Sequence, residues 1–422
     1  MGLLTLLKDQ RQEMEELLGG GIVKREAGSY FKDAAGSKLV KVISGVRRCG
    51  KSVFAYDVIK DSKFAYVNFD DDRLLDVDLD QLLVSIYEVY GKDFVFMLLD
   101  EIQNLSGWEL FVNRLRRMGL NVFITGSNSK LLSKELATHL TGRHMTIELF
   151  PFSFREYLKS AGFAEDAGTT RGIGTLKREL GNYLEIGGFP EIVTGKENPR
   201  IYLRELYKKI VERDIINRYE ISYKKTFRKL AMSIISNPAR DISYNRLKNQ
   251  FGLGSDHTIK NYLSYLEEAY IIFLISKFSR RPVEIEKSSK KVYVIDTGMI
   301  KNISLNFAED YGRVYENAVA IELFRQKSFD SLLEVYYWKN QQQKEVDFVV
   351  RRGLKIEQLI QVCYRMSDQK IREREISSLA EAGRELNCSS LLVITEDEDS
   401  EEAAGESTIK YVPLWKWLLN PF

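Results

Sequence analysis

From Leu39 to about Phe150, short apolar, β-rich runs alternate with stretches whose apolar positions recur at helical intervals. That alternation predicts a parallel α/β sheet with helices packed on it. The expected strands are Leu39 to Ser44, Phe64 to Phe69, Phe94 to Leu99, Asn121 to Thr125 and Met145 to Phe150. Several are apolar almost throughout, as strands covered on both faces must be. Before them, Met1 to Leu18 carries apolar positions at helical spacing broken by charges, which predicts an amphipathic helix.

After Pro151 the period turns helical, with a Gly-rich interruption from Gly162 to Gly174 and a turn-like Gly187-Gly188-Phe189-Pro190. Helices continue from Ile201 to Ile235. Two more, Ser243 to Phe251 and Asp256 to Tyr270, are separated by Gly252-Leu253-Gly254-Ser255. A β-like pair, Ile275 to Phe278 and Lys291 to Ile295, then flanks a charged turn with Arg280, Arg281, Lys287 and Lys290. Helix, glycine turn, helix and hairpin together suggest a winged helix. From Tyr315 the order is helix, three strands (Glu334 to Trp338, Val346 to Arg351, Ile356 to Cys363), helix and strand (Ser390 to Ile394), a separate small α/β unit. The run Thr395 to Glu406, with seven carboxylates and no base, reads as a solvated loop.

The length, 422 residues, asks for several domains, and 44% hydrophobic against 29% charged residues gives each a core. Global disorder is excluded. Lys and Arg exceed Asp and Glu by only two, so any affinity for nucleic acid must be local. Arg200 to Lys229 is such a place, with ten basic residues against four acidic ones. Cys49, Cys363 and Cys388 are too scattered for a disulfide framework, and with His139, His144 and His257 they make no zinc spacing. No secretion signal and no apolar run long enough to span a bilayer is visible, so a cytoplasmic protein without a membrane partner is expected.

Candidate chemistry begins with Gly45-Val46-Arg47-Arg48-Cys49-Gly50-Lys51-Ser52, which fits G-x-x-x-x-G-K-[ST] between an expected strand and an expected helix. Such a loop closes backbone N–H groups around a phosphate. Lys51 would reach the β and γ phosphates of ATP and Ser52 would ligate Mg²⁺. Only the backbone amides of Arg47 and Arg48 are assigned to the phosphates, and Cys49 is read as a small filler in preference to a redox switch. The metal needs an anionic partner at the end of an apolar strand, and Phe94 to Leu99 ends in Asp100-Glu101. Asp100 would hold Mg²⁺ and Glu101 would act as general base on the attacking water.

One strand lies between the phosphate-loop strand and the Asp100 strand, and Glu101 follows the metal carboxylate directly. Here the chain resembles the AAA-type, additional-strand catalytic-glutamate P-loop ATPases. The loop, Tyr66-Val67-Asn68-Phe69, Asp100-Glu101-Ile102-Gln103, Thr125-Gly126-Ser127-Asn128-Ser129, Leu140-Thr141-Gly142-Arg143 and Gly187-Gly188-Phe189-Pro190-Glu191 resemble a largely archaeal AAA family. Its members carry a C-terminal restriction-endonuclease-like domain. The resemblance implies four parts: an AAA-type core with its N-terminal helix (1–150), a helical lid or connector (151–235), a winged-helix-like domain (236–300) and the endonuclease-like domain (301–422). It places Ser127 and Asn128 as the sensor near the γ phosphate. Arg143 becomes an arginine finger or sensor, or else an ordinary surface arginine, and Asn68 a possible restraint on Glu101. Adenine in preference to guanine follows from the same resemblance.

In the winged-helix reading His257, Thr258, Lys260 and Asn261 would face the major groove, with Arg280, Arg281 and Lys287 against phosphate. Such modules also serve as protein contacts. The C-terminal unit resembles the PD-(D/E)-x-K nuclease fold, in which two acids hold Mg²⁺ and a lysine supports the nucleophile. Asp347 supplies the first acid and Glu316 a second, but Gln361-Val362-Cys363 stands where Glu-x-Lys is expected, so nuclease activity is expected to be lost. The expectation is a Mg²⁺-dependent ATPase switch, coupled to duplex DNA or to a protein partner. The alternatives are an ATP-regulated DNA-binding module and a metal-dependent endonuclease. Arg143 acting in trans would require a homo-oligomer, and a monomer using it in cis is equally compatible.

Overall fold

The computed structural model describes residues 2–19, 21–128, 140, 142–163, 167–304, 310–366, 368–404 and 407–421. Ser129, His139, Thr141 and the last two residues of the acidic run lie outside the described residues. The chain divides into two compact units, one of Met1–Phe150 with Glu268–Tyr270, the other of Pro151–Glu267 with Ile271–Phe422.

The first unit is built on a parallel sheet of β1 (Val40–Ser44), β2 (Phe64–Asn68), β3 (Phe96–Asp100), β4 (Asn121–Gly126) and β5 (His144–Glu148). The strands run in the order β2-β3-β4-β1-β5. Each lies within two residues of the ends that the apolar pattern predicts. On one face Val42, Val67, Leu99 and Ile124 pack with Leu6 and Leu7 of the helix Leu3–Leu18 and with Trp108 and Phe111. On the other, the Phe31 ring lies 5.8 Å from Phe54 and 5.9 Å from Phe123. β4 stands between β1 and β3, so Ser44, Gly126 and Asp100 end side by side at one edge.

The second unit opens with helices, among them Phe154–Ser160, Thr170–Ile186 and Pro199–Lys209, and a π-helical stretch, Ile210–Asn217. The Gly187-Gly188 turn is a docking point. The Gly188 N–H donates to Asp296 Oδ2 at 2.7 Å, and a Cβ on Gly187, whose φ is +80°, would lie 2.1 Å from Asp296 Oδ1. Gly298 presses on the same turn, with space for a Cβ only 2.3 Å from the Ile186 carbonyl oxygen. Alanine ordinarily stabilises a helical site relative to glycine. Here the sign reverses, because the obstacle is backbone: Gly298→Ala is expected to destabilise this unit by about 3 kcal/mol, measured by urea unfolding.

A small antiparallel sheet of β6 (Arg240–Ile242), β7 (Ile272–Ser276) and β8 (Lys290–Val294), ordered β6-β8-β7, carries the helices Tyr244–Phe251 and Asp256–Glu268 between its first two strands. Two sequence expectations need correction here. The first strand of the pair begins at Ile272, not Ile275, because the whole apolar run pairs with β8 and Phe273 stacks on Tyr293 at 5.8 Å. The charged turn contains a short helix, Pro282–Lys287, started by Pro282 at its first position and tied by Ser279 Oγ donating to Glu284 at 2.7 Å.

The last sheet comprises β9 (Leu333–Lys339), β10 (Glu345–Arg352), β11 (Lys355–Val362), β12 (Ser390–Thr395), β13 (Ser400–Ala404) and β14 (Ser407–Pro413), in the order β13-β14-β12-β11-β10-β9. β13 corrects the reading of the acidic run as a loop. Arg372, on the helix Gln369–Leu386, forks onto Glu398, at 3.0 Å to each oxygen, and reaches Glu402 on β13 at 2.9 Å, so carboxylates that look solvated are paired to an arginine. β7 is extended toward β9 by the Phe278 N–H donating to the Tyr337 carbonyl at 2.7 Å. No helix among the described residues is long and apolar enough to cross a membrane.

Candidate functional site

The turn out of β1 is made by glycine. Gly45 has φ +148°, and a Cβ there would lie 2.2 Å from the Leu149 carbonyl oxygen. Gly50, with φ +92°, caps the helix Lys51–Ile59. Between them Cys49 is fully buried and its thiol donates to the Leu149 carbonyl at 3.2 Å. Burial pushes that thiol up, which suits a filler. Arg47 is buried with Nη1 3.7 Å from Asp70, whereas Arg48 is exposed. The sequence gives no hint of Arg25, whose guanidinium donates to the Cys49 carbonyl at 2.9 Å and the Phe150 carbonyl at 2.6 Å, joining the loop to the chain after β5.

Lys51 Nζ lies 3.3 and 3.2 Å from the carbonyls of Gly45 and Val46 and 3.6 Å from Glu101. Ser52 Oγ meets the Asp100 carboxylate at 2.7 and 2.8 Å. Thr125 Oγ1 donates to Asp100 and accepts the Glu101 N–H at 3.0 Å, and Tyr66 OH reaches Asp100 at 3.3 Å. Burial pushes the Asp100 carboxyl up and the adjacent Glu101 charge adds to that. Burial acts the same way on Glu101, but the Lys51 and Arg47 charges, with hydrogen bonds to Gln103 and Ser127, hold it below its ordinary value. Two neighbouring carboxylates, one buried and one partly exposed, beside one ammonium leave room for further positive charge. The Ser52 hydroxyl and Asp100 therefore fit a hard divalent ion such as Mg²⁺, which needs only one or two protein oxygens beside phosphate.

Ser127 and Asn128 are buried at the end of β4, and Ser127 Oγ donates to Glu101 at 3.2 Å. Among the described residues Asn68 makes no hydrogen bond to Glu101. Its Oδ1 accepts the Asp70 N–H at 2.9 Å, and its backbone bonds Gln10. Arg143 is not brought to its own phosphate loop either. It precedes His144, which pairs with Val40, whereas the loop follows Ser44, four residues further along β1. At about 3.3 Å per residue that places roughly 13 Å of sheet between them.

In the second unit His257, Lys260 and Asn261 are exposed and Thr258 is half-buried on the helix Asp256–Glu268, whose other face buries Ile259, Leu263 and Leu266. Arg280, Arg281 and Lys287 are exposed on the β7–β8 connection, Arg281 paired with Glu284 at 3.0 Å. The nuclease-like residues converge differently from expectation. Gln361 Oε1 accepts the Asp347 N–H at 3.2 Å and its Nε2 donates to Glu375 at 2.7 Å, while the Cys363 thiol donates to the Arg365 carbonyl at 3.4 Å. An ammonium is nonetheless present. Lys291, from β8, lies 3.0 Å from Glu316, 2.5 Å from Glu345 and 3.0 Å from Asp347. Burial and then the Asp347 charge push Glu316 up to about 7. Burial opposes the Lys291 charge, yet the carboxylates hold it well above its ordinary value. Among the described residues no three His, Cys, Asp or Glu side chains are arranged to hold a metal ion.

An AAA domain family model matches residues 37–158, and two domains of unknown function, DUF8612 and DUF4143, match 177–310 and 311–417. The uncharacterized protein MJ1544 of Methanocaldococcus jannaschii is 38% identical over 400 residues, 90% of this chain and 88% of that one. An uncharacterized protein of Haemophilus influenzae is 29% identical over 340 residues, 76% of this chain and 81% of the other. Among solved structures, the Walker-type ATPase PABY2304 of Pyrococcus abyssi superposes with a TM-score of 0.44 at 12% identity, over 67% of this chain and 96% of that one.

Proposed function

Because the chain belongs to the AAA-domain P-loop ATPase family that includes MJ1544, we propose that it is a cytoplasmic, Mg²⁺-dependent ATPase working as a nucleotide-driven switch coupled to duplex DNA. The observation that carries hydrolysis, as distinct from binding, is Glu101: an ionised carboxylate beside Lys51, aimed by Ser127 and Gln103 at the mouth of the loop. Lys51 would exchange its loop carbonyls for phosphate oxygens. Ser52 and Asp100 would hold Mg²⁺, which when bound supplies positive charge to the phosphates. Glu101 takes the proton of the attacking water. Lys51→Ala is expected to weaken binding of a fluorescent ATP analogue by about a hundredfold, measured by titration with and without Mg²⁺. Equal affinity in the two proteins would remove Lys51 from the site.

Coupling to DNA is supported by the exposed His257, Lys260 and Asn261 and by the exposed Arg280, Arg281 and Lys287 of the same unit. ATP turnover and filter binding with and without duplex DNA test it. Binding should fall steeply with added salt. A second reading, a DNA-binding module whose occupancy ATP regulates, rests on the same residues and differs in showing no stimulation of turnover. Endonuclease activity is disfavoured by Lys291 amid the three carboxylates and by the neutral Gln361. Arg143, distant from its own loop, has a catalytic role only toward a neighbouring copy.

A further inference from the structure

Gln103 is a residue to which neither the phosphate-loop motif nor the acidic pair assigns a role. It lies on the short 3-10 turn Ile102–Asn104 that follows Glu101. Its Nε2 donates to Glu101 Oε2 and lies 3.5 Å from Ser127 Oγ, which bonds the same carboxylate oxygen at 3.2 Å. An ionised carboxylate only accepts, so the amide nitrogen must face it and the amide oxygen must face away. That oxygen, Gln103 Oε1, is buried and meets no donor among the described residues. Buried acceptors are ordinarily satisfied, and one that is not asks for a donor the protein itself does not supply.

The backbone points the same way. Glu101 sits at φ +48°, ψ +45°, a left-handed conformation that is costly for a residue with a Cβ. It is held there by its N–H bonded to Thr125 Oγ1 at 3.0 Å. This conformation turns the chain sharply after β3, and the turn sets the Gln103 amide on the Glu101 carboxylate.

Building on the ATPase reading, we propose that Gln103 positions the attacking water: its Nε2 steadies Glu101 while its Oε1 accepts one hydrogen of the water whose other proton Glu101 removes. The water oxygen forms the new bond to the γ phosphorus as the bond to the β–γ bridging oxygen breaks. ADP leaves with that electron pair, and Glu101 returns its proton to solvent. A second acceptor fixes the direction of the water lone pair, which Glu101 alone leaves free to rotate.

The test is steady-state turnover of the full chain, with nucleotide affinity measured in parallel, for wild type, Gln103→Met, Gln103→Glu and Glu101→Gln. In Gln103→Met, kcat is expected to fall about ten- to a hundredfold with ATP affinity within threefold, which also reports an intact fold. Gln103→Glu, nearly the same size, keeps an acceptor for the water that methionine lacks, so its kcat is expected to stand above that of Gln103→Met. A kcat within twofold of wild type, a kcat of Gln103→Glu no higher than that of Gln103→Met, or an effect confined to affinity would each overturn the role of Gln103 while leaving the ATPase reading intact. No turnover by wild type, or wild-type turnover by Glu101→Gln, would instead bring down the reading itself, and the role of Gln103 with it.

Discussion

Turnover by Glu101→Gln is expected to fall at least a hundredfold below wild type while ATP affinity stays within about threefold. The glutamine keeps the length of the side chain, and its amide oxygen can still accept from Gln103 and Ser127, which now bond Oε2 of the carboxylate. It cannot take a proton from water. The loss therefore belongs to the chemical step, not to binding, which Lys51, Ser52 and the loop amides carry. The pH dependence follows from the same contacts. The Lys51 and Arg47 charges outweigh burial and hold the Glu101 carboxyl below its ordinary value, so the base is ionised throughout the neutral range. As pH falls through that lowered value the carboxylate protonates and turnover is lost, which puts the acidic limb of the wild-type profile below neutrality. Phosphate release measured from pH 5 to 9 is therefore expected to show no wild-type acidic limb within that range, with Glu101→Gln at least a hundredfold lower throughout. Unchanged turnover in Glu101→Gln would show that another group, or none, acts as base.

Lys291→Met is expected to destabilise the second unit by about 3 to 5 kcal/mol. Lys291 is 3% exposed and is shared by Glu316, Glu345 and Asp347, and Tyr293 OH also bonds Glu316 at 2.7 Å. Methionine preserves most of the volume, so the cost is chiefly that of three carboxylates left together without their cation. Its pH dependence has a definite sign. Glu316 already titrates at about 7, above its ordinary value of 4.5, so the folded form holds the proton more tightly than the unfolded chain and stability falls as pH rises through that window. Without Lys291 the Glu316 carboxyl rises further. The variant should therefore be closest to wild type near pH 5 and furthest from it near pH 8. Guanidinium unfolding at both values, followed by the fluorescence of Trp338, Trp415 and Trp417, measures this. Equal loss at the two pH values would mean that packing, and not charge, is what Lys291 contributes.

The strands of the parallel sheet were legible because β1, β3 and β4 are covered on both faces and so are apolar nearly throughout, a pattern that survives in the sequence without knowledge of any partner. The strand, glycine turn and helix around Gly45 to Ser52 were legible for a related reason: φ near +90° at Gly50 and the close approach at Gly45 are demands that a contiguous segment makes on itself. Asp100 and Glu101 are likewise adjacent in the chain. The pairing of Ser52 with Asp100, by contrast, spans 48 residues and depends on β4 separating their strands.

What spacing alone left open has a common cause. Arg143 was placed by a local resemblance, but the register of β5 on β1 decides which end of the sheet it occupies. Asn68 matches a familiar position, yet Gln10, 58 residues earlier, takes up its backbone. The ammonium missing from Gln361-Val362-Cys363 arrives from β8, before the helix that carries Glu316. The sequence by itself determined the period of each element and the chemistry of each contiguous motif, since both depend on neighbours a few residues away. Which charges share a site, which carboxylate is aimed and which arginine is out of reach were decided only by the tertiary structure, because Coulomb and hydrogen-bond energies depend on distances that chain folding and strand register set.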